Sequence, residues 1–194
     1  LTSLLATQTN FKVKIFGDSS LNKRDMKRII APLSKIGCIF YPKNKNTLPL
    51  IVEGTSMPLA QKHSEAIGSA QVKSAILLAA LNTPGTTTVE EKIISRNHTE
   101  NLLNVVRADI KIKKLKKGNL ITINGKKNLQ AFNLEVPGDQ SSAAPFIFLT
   151  LLTPGSSLII KKVNYNPTRT GFIKILKKMK ANISVKNIRR KSGE

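Results

Sequence analysis

The sequence is poor in residues that build several common kinds of site. It has one cysteine and no tryptophan, and its only aromatic side chains are seven phenylalanines and two tyrosines. A single cysteine, Cys38, excludes an intramolecular disulfide and favours a small buried thiol. With so few aromatic rings, the chain offers little on which nucleic-acid bases could stack.

Long apolar runs and metal-ligand clusters are also missing from the sequence. The longest apolar segments, residues 75–81 and 146–152, fall short of the ~18 residues needed to cross a bilayer. The two histidines, His63 and His98, are far apart, and no zinc-site spacing is present. The start of the chain also lacks the pattern of a signal peptide. We therefore expect a soluble, cytoplasmic protein without a metal ion.

Acidic residues are scarce, with 11 against 32 basic residues and a net charge of +21. A basic balance of this size makes nucleic acid the first partner to consider. However, only seven of the basic residues are arginines, and the lysines are scattered along the chain rather than gathered in one tract. A solvated lysine surface, or a deep cleft for a small and highly charged anion, are the competing explanations.

The sequence does contain an internal repeat. The run SAILLAALNTPGTTTVEEKIISRNHTENLLNVVRADIKI aligns with APFIFLTLLTPGSSLIIKKVNYNPTRTGFIKILKKMKANISV, with Gly85 opposite Gly155. In each copy an apolar helix ends at Thr-Pro-Gly, which stops helices. A strand is predicted next, at residues 86–94 and 156–163, and a polar turn, a second helix and a closing strand follow.

The N-terminal part has the pattern of the back half of a third copy. It predicts a strand at residues 11–16, a turn at 17–24, a helix at 25–36 with a kink at Pro32, and a strand at 38–41. The first nine residues, LTSLLATQT, have a helical pattern without an initiating methionine, so we expect the chain to be a piece of something longer.

A hairpin and a domain crossover complete the predicted organisation. The run IKIKKLKKGNLITIN alternates apolar and polar residues on both sides of a Lys-Gly-Asn tip, which predicts an antiparallel pair whose five lysines face solvent. The dipeptide Pro137-Gly138 marks a crossover. The sequence therefore predicts an α/β protein of tandem units, with residues 1–136 in a first lobe and 137–194 in a second.

Polar clusters fall at predicted helix starts, where free backbone amides and the helix dipole favour anions. The first is GSAQVK, in which Ser69 can cap the helix while Gln71 and Lys73 project from its first turn. The alternative is an ordinary serine cap with two solvent-facing residues, and spacing alone does not decide between them.

Two further clusters contain an arginine each. In SRNHTE, residues 95–100, several side chains could cap a helix, but capping does not explain Arg96, whose planar fork suits a phosphate. In GDSSLNKRD, residues 17–25, Arg24 enters a helix start, and a surface ion pair with Asp25 is the alternative. No serine-histidine-acid triad can be assembled. Spacing alone therefore predicts an anion-binding α/β protein.

Six blocks in order make the sequence resemble the 5-enolpyruvylshikimate-3-phosphate synthase family over essentially the whole chain. The blocks are GDSSLNKRDMKRIIAPLSKIGC, LPLIVEG, SAQVKSAILLAAL, SRNHTENLL, VPGDQSSAAPF and NPTRTGFIKILKKM. The related enolpyruvyl transferase of cell-wall synthesis shares the fold but differs at SAQVKS. So many blocks in the right order are far more specific than one short motif.

The resemblance implies an inside-out enolpyruvyl-transferase fold, with two lobes built from repeated βαβαββ units and helix starts that face a cleft. It also implies transfer of the enolpyruvyl group of phosphoenolpyruvate to the 5-hydroxyl of shikimate-3-phosphate, with release of phosphate through a tetrahedral intermediate. No cofactor, nucleic acid or membrane partner is expected, and the full-length enzyme is expected to be a monomer.

Site residues are also implied by the resemblance, motif by motif. Ser69 and the backbone of Ala70 would hold the 3-phosphate of shikimate-3-phosphate, and Gln71 would lie against its ring and phosphoenolpyruvate. Ser95 and Arg96 resemble further ligands of shikimate-3-phosphate. Arg24 resembles the family arginine that grips phosphoenolpyruvate.

The sequence departs from the family pattern at Asp25, where the family has proline, at Asn97, where it has aspartate, and at residues 178–181, which lack a glycine. The phosphate-binding loops expected near the start of the family would precede Leu1. The catalytic aspartate, its partner lysine and the C-terminal arginines would follow Glu194. We therefore expect the 194-residue chain alone to be inactive. A non-catalytic anion-binding descendant of the enzyme is the remaining alternative.

Overall fold

The structure is a computed structural model that describes Thr7 and residues 12–189. Apart from Thr7, the helix predicted for the first nine residues lies outside the described residues. The strands are β1 (Lys12–Ile15), β2 (Ile39–Pro42), β3 (Leu50–Glu53), β4 (Lys62–Glu65), β5 (Thr86–Glu91), β6 (Asp109–Lys114) and β7 (Asn119–Asn124). The helices are α1 (Lys27–Ile36), α2 (Ala70–Leu81), α3 (His98–Val105), α4 (Gln140–Leu152) and α5 (Gly171–Lys178), with a 3-10 turn at Leu21–Lys23.

The chain forms two compact units. The first unit contains the described residues up to Ser95 together with Val106–Gln130, and the second contains Arg96–Val105 and the described residues from Ala131 onward. The units therefore divide a few residues before the predicted crossover at Pro137-Gly138, and α3 groups with the second unit. The assignment of residues 1–136 and 137–194 to two lobes stays a prediction.

The sheets of the first unit agree with the interpretation of the N-terminal part as a further copy of the repeat. One sheet has the order β1-β3-β2, and the other has the order β4-β5-β7-β6. The pairs β1-β3, β3-β2, β5-β7 and β7-β6 are all antiparallel, so the three-stranded order recurs inside the larger sheet. From β4 to β7 the chain runs β-α-β-α-β-β, which is the unit that the resemblance implies.

The β6–β7 hairpin forms as predicted, with Asp109 opposite Asn124 and Lys114 opposite Asn119. Ile121 and Ile123 of β7 are buried, whereas all five lysines between residues 111 and 117 are exposed. The alternating pattern therefore identified the hairpin and the solvated position of its lysines.

Helix α1 packs on the three-stranded sheet and begins two residues later than predicted. Its buried residues Leu33 and Ile36 join Leu50 and Val52 of β3 in one apolar cluster. Cys38 belongs to the same cluster, and burial raises the pKa of its thiol to about 12, which confirms the prediction of a small buried thiol. Pro32 lies within the helix, and the expected kink there stays a prediction.

Helix α2 is the central helix of the first unit. It connects the parallel strands β4 and β5 and contacts α1, β5 and β7. Ile76, Leu77 and Ala79 are fully buried, as an almost entirely apolar helix requires. The apolar length of α2 therefore lies in the core while its polar start remains near the surface.

In the second unit, helices α4 and α5 contact each other through two phenylalanine rings. The rings of Phe148 in α4 and Phe172 in α5 have centroids 6.3 Å apart, and Ile173 and Leu176 are buried. By contrast, Phe146 and Leu152 of α4 are exposed, although the matching helix α2 is buried. No described helix of either unit is long and apolar enough to cross a membrane.

Two strands predicted in the second repeat copy are wrong for this structure. Residues 156–162 form no strand, and only Val163 makes an isolated parallel bridge, with Gly138. The described residues 181–189, where a closing strand was expected, also form none. A strand exists only where a neighbour pairs with its backbone, and within the described second unit no counterpart of β7 lies beside residues 156–161. The matching strand β5 has two neighbours, β4 and β7.

Candidate functional site

The start of α2 provides backbone and side-chain donors together. Ser69 is the N-cap residue, as predicted, and its Oγ accepts a hydrogen bond of 3.4 Å from the backbone amide of Val72. The hydroxyl hydrogen remains available for a ligand. The amides of Ala70 and Gln71 belong to the first turn, which has no acceptors within the helix. This helix start can therefore donate several hydrogen bonds to one anion.

Gln71 is held by an arginine that the sequence analysis did not single out. Its Oε1 accepts a hydrogen bond of 2.9 Å from Nη2 of Arg28, in the first turn of α1. Because the carbonyl oxygen of the amide is occupied, its NH₂ group is the part left for a ligand. Arg28 lies four residues after Arg24 in the sequence, but nothing in the sequence shows that α1 and α2 begin side by side.

Lys73 does not face solvent, so the alternative in which both Gln71 and Lys73 face solvent is wrong for Lys73. Its side chain is 0% exposed, and Nζ lies 2.9 Å from Oε1 of Glu91, whose side chain is 1% exposed. The helix start therefore has one exposed polar residue, Gln71, and one buried ion pair beneath it.

Glu91 connects this ion pair to the second cluster. Its Oε1 also accepts hydrogen bonds from the backbone amide of Ser95, at 2.7 Å, and from the Ser95 hydroxyl. Its Oε2 accepts a weaker bond of 3.4 Å from Nδ2 of Asn119. Burial acts to raise the pKa of this carboxyl, but the bonds from Ser95 and Lys73 outweigh burial and hold the pKa below its usual value.

The lowered pKa of Glu91 predicts a loss of stability in acid. Because the folded pKa lies below the ordinary value of 4.5, the stabilisation is present above that value and is lost as the pH falls through the folded pKa. We expect the urea midpoint, measured by circular dichroism, to fall below pH 4.5 more steeply for the wild-type chain than for the double variant Lys73→Met/Glu91→Met. Equal slopes in the two proteins would contradict this prediction.

The two serine segments lie next to each other in the first unit. A Cβ atom added to Gly68 would lie 2.9 Å from Cγ2 of Ile93 and 3.0 Å from its carbonyl oxygen. Gly68 directly precedes Ser69, and Ile93 lies two residues before Ser95. The structure therefore brings the segment that contains Ser69 and Gln71 close to the segment that leads to Ser95, while their shared role in ligand binding stays a prediction.

Gly68 gives this arrangement a specific test. Its φ angle is +73°, so Gly68→Ala combines backbone strain with contact against Ile93. Gly85→Ala is the matched control, because φ there is +88° but the nearest atom, Cβ of Ala60, is 3.5 Å away. We expect both variants to lose about 1 kcal/mol of stability from strain, but only Gly68→Ala to lose affinity for an anionic ligand in calorimetry. Equal affinities would show that the approach of the two segments is unrelated to binding.

Arg24 is exposed directly after the 3-10 turn, and its backbone amide donates to the carbonyl of Leu21 at 3.1 Å. No ion pair joins it to the carboxylate of Asp25 in the described structure, where Oδ1 of Asp25 accepts a hydrogen bond of 2.7 Å from the amide of Lys27. The guanidinium of Arg24 is therefore not committed to its acidic neighbour. No contact places Arg24 with the other predicted ligands.

Arg96 is exposed and begins the second unit, directly after Ser95. The next residue, Asn97, precedes α3, and its Oδ1 accepts a hydrogen bond of 2.8 Å from Nδ2 of buried Asn166. A longer bond of 3.4 Å reaches the same oxygen from the Thr168 hydroxyl. These contacts hold Asn97, the residue beside Arg96. Asn166 and Thr168 belong to the segment NPTR, residues 166–169, and the spacing of this segment in the sequence did not indicate that role.

Among residues 12–189 and Thr7, no group of three or more histidine, cysteine, aspartate or glutamate side chains could hold a metal ion. The start of α2 and Ser95 offer hydroxyl, amide and backbone groups. These groups suit the recognition and electrostatic stabilisation of a phosphorylated anion.

The β-α-β-α-β-β order of residues 62–124 and a helix start with exposed hydrogen-bond donors define an α/β protein with a candidate anion site. Comparison with known proteins gives its family. Residues 1–193 match the family EPSP synthase (3-phosphoshikimate 1-carboxyvinyltransferase). This chain therefore belongs to the EPSP synthase family.

Individual relatives agree with the family match. The chain is 44% identical over 195 residues to 3-phosphoshikimate 1-carboxyvinyltransferase of Endomicrobium trichonymphae, and 43% identical over 196 residues to that of Magnetococcus marinus. The alignments cover 100% of this chain and 44% and 42% of those relatives, so the chain spans less than half their length.

A solved structure agrees with the fold. The EPSP synthase of Acinetobacter baumannii superposes with a TM-score of 0.81 at 38% identity, over 99% of this chain and 42% of that one. The α/β fold expected from the resemblance is therefore confirmed.

Proposed function

We propose that the whole protein transfers the enolpyruvyl group of phosphoenolpyruvate to the 5-hydroxyl of shikimate-3-phosphate and releases phosphate. The observation that carries this proposal is the start of α2, where Ser69, two first-turn amides and the Gln71 amide present uncommitted donors beside Ser95. These donors suit a phosphate ester on a polar ring.

Each site residue has one proposed role. Ser69 and the Ala70 amide hold the 3-phosphate, while Gln71 donates to the ring hydroxyls and phosphoenolpyruvate. Ser95 and Arg96 add further donors for shikimate-3-phosphate. Arg24, which has no bond to Asp25, grips phosphoenolpyruvate. Holding two anions in one orientation lowers the entropic barrier to their reaction, and fixed donors stabilise charge that develops in the transition state.

The 194-residue chain by itself is proposed to bind shikimate-3-phosphate without turning it over. The full-length protein is proposed to act as a monomer. We expect no phosphate release when the chain is incubated with both substrates. Measurable release would contradict this part of the proposal.

Calorimetric titration of the chain with shikimate-3-phosphate tests the proposed ligand, with unphosphorylated shikimate as the control. We expect saturable binding of the phosphorylated compound and at least about tenfold weaker binding of shikimate, because the phosphate accepts charge-assisted bonds. Equal affinities, or no binding of either, would overturn the proposal.

A calorimetric titration with DNA, run beside the titration with shikimate-3-phosphate, tests the alternative of a nucleic-acid-binding protein. The net charge of +21 is the observation that favours it. The family match does not support a nucleic-acid function. If DNA bound with a steep salt dependence while shikimate-3-phosphate did not bind, the basic surface would be the functional one.

A further inference from the structure

The buried ion pair between Lys73 and Glu91 lies beside the proposed ligand residues Ser69 and Ser95 but has no role among them so far. Both side chains are almost completely removed from solvent, at 0% and 1% exposure. Removing two charges from water is costly, and apolar residues of similar volume often stabilise a protein at least as well. Stability alone therefore does not explain why this pair is here.

The hydrogen bonds of Glu91 connect it to Ser95, a proposed ligand residue for shikimate-3-phosphate. Besides Lys73, Oε1 accepts from both the backbone amide and the hydroxyl of Ser95. A carboxylate has no hydrogen to give, so the Ser95 hydroxyl is the donor in this contact. Both polar hydrogens of Ser95 are thus directed at Glu91.

This assignment has a consequence for ligand binding. A serine hydroxyl has one hydrogen, and a phosphate dianion can only accept. The hydroxyl of Ser95 can therefore donate to a phosphate only by leaving Glu91, while the amide bond at 2.7 Å can keep the backbone in place. Lys73 neutralises the carboxylate that stays behind, which limits its repulsion of the incoming anion.

We propose that Glu91, with Lys73 as its buried counter-ion, is a positioning residue that holds Ser95 in place and yields the Ser95 hydroxyl hydrogen bond to the phosphate of the ligand. This inference rests on the proposed function, since it assumes that shikimate-3-phosphate binds beside Ser95. It adds two residues to the site, neither of which touches the ligand.

The test is a double-mutant cycle on shikimate-3-phosphate affinity, measured by calorimetry. Lys73→Met/Glu91→Met removes the acceptor of Ser95 without changing the net charge, and we expect about tenfold weaker binding, because the amide bond that fixes the Ser95 backbone beside the ligand is lost. In a Ser95→Ala background the same pair change is expected to have a clearly smaller effect, because the hydroxyl that the pair positions is absent.

A matched control comes from the exposed pair Lys12 and Glu53, whose Nζ and Oε2 lie 3.1 Å apart on the three-stranded sheet. Lys12→Met/Glu53→Met makes the same chemical change at the same net charge, and we expect no change in affinity. A purely structural role of Lys73 and Glu91 would lower the unfolding midpoint but leave the affinity unchanged, or reduce it equally in both Ser95 backgrounds. Either outcome overturns the inference.

A second variant protects the test against misfolding. Glu91→Asp keeps the charge that pairs with Lys73 but withdraws the carboxylate from Ser95 by one methylene, and it is expected to weaken binding in the same direction. Unchanged affinity in this variant would also overturn the inference. If the wild-type chain binds no shikimate-3-phosphate, the proposed function fails and this inference fails with it. If wild-type binding is normal but the cycle shows no coupling, only the inference fails.

Discussion

Lys73→Met is expected to lower the free energy of unfolding by about 3–5 kcal/mol, because it leaves the carboxylate of Glu91 buried without its cation. Nζ of Lys73 and Oε1 of Glu91 are 2.9 Å apart, and both side chains are buried. Adding Glu91→Met is expected to restore most of that loss, since an apolar pair has no uncompensated charge. Urea unfolding followed by circular dichroism measures both changes.

The same experiment has an internal control in Lys12→Met. Lys12 forms its ion pair with Glu53 at the surface, where solvent screens the charges, so we expect little change in the midpoint. If Lys73→Met were as mild as Lys12→Met, the buried pair would not have the role assigned to it. A double variant as unstable as the single one would contradict the electrostatic explanation.

Arg96→Ala is expected to weaken binding of shikimate-3-phosphate by between about tenfold and about a hundredfold. Arg96 is exposed, follows Ser95 directly and is explained by no structural contact in the described residues. Bonds from a guanidinium to a phosphate are charge-assisted, and their loss costs about 1.5–3 kcal/mol. Calorimetry with the folded variant provides the measurement.

Lys113→Ala is the control for Arg96→Ala. It also removes one exposed positive charge, but from the β6–β7 hairpin, so we expect less than about a twofold change in affinity. Comparable losses in the two variants would mean that general attraction by the +21 net charge, rather than a defined site, accounts for binding.

Local patterns predicted several elements of the first unit, although not β3 or β4. The alternation around Lys-Gly-Asn identified the β6–β7 hairpin, and the helical spacing of residues 25–36 identified α1 to within two residues. The interpretation of the N-terminal part as a further repeat copy agrees with the sheets, since β1, β3 and β2 follow the same order as β5, β7 and β6, although β3 itself was not predicted. The hairpin and the helix depend on interactions between residues that are close in the chain, so the sequence contains them.

Features that depend on distant partners were not predictable. Residues 156–163 have strand-like composition but form no strand, because strand formation needs a paired neighbour that composition does not specify. The burial of Lys73 was not predicted, since lysine is rarely buried without a partner and nothing nearby in sequence identified Glu91. Arg28 was missed for a similar reason, because its contact with Gln71 joins residues far apart in the chain.

For the candidate site, helix-start chemistry indicated where anions would bind, and Ser69 is the N-cap that its position predicted. The resemblance to the family supplied the identity of the ligands. The contacts of Ser95 with Glu91 are seen only in the structure. They indicate that the hydroxyl hydrogen of Ser95 must leave Glu91 when the residue binds the phosphate.

The most direct test of the account is to titrate the ¹⁵N-labelled chain with shikimate-3-phosphate and follow its backbone amide resonances. Binding at the start of α2 predicts that the largest shifts occur at residues 69–73 and 95–96, while the lysine-rich hairpin at residues 111–117 stays unchanged. Largest shifts in that hairpin, or shifts spread evenly over the basic surface, would contradict the account.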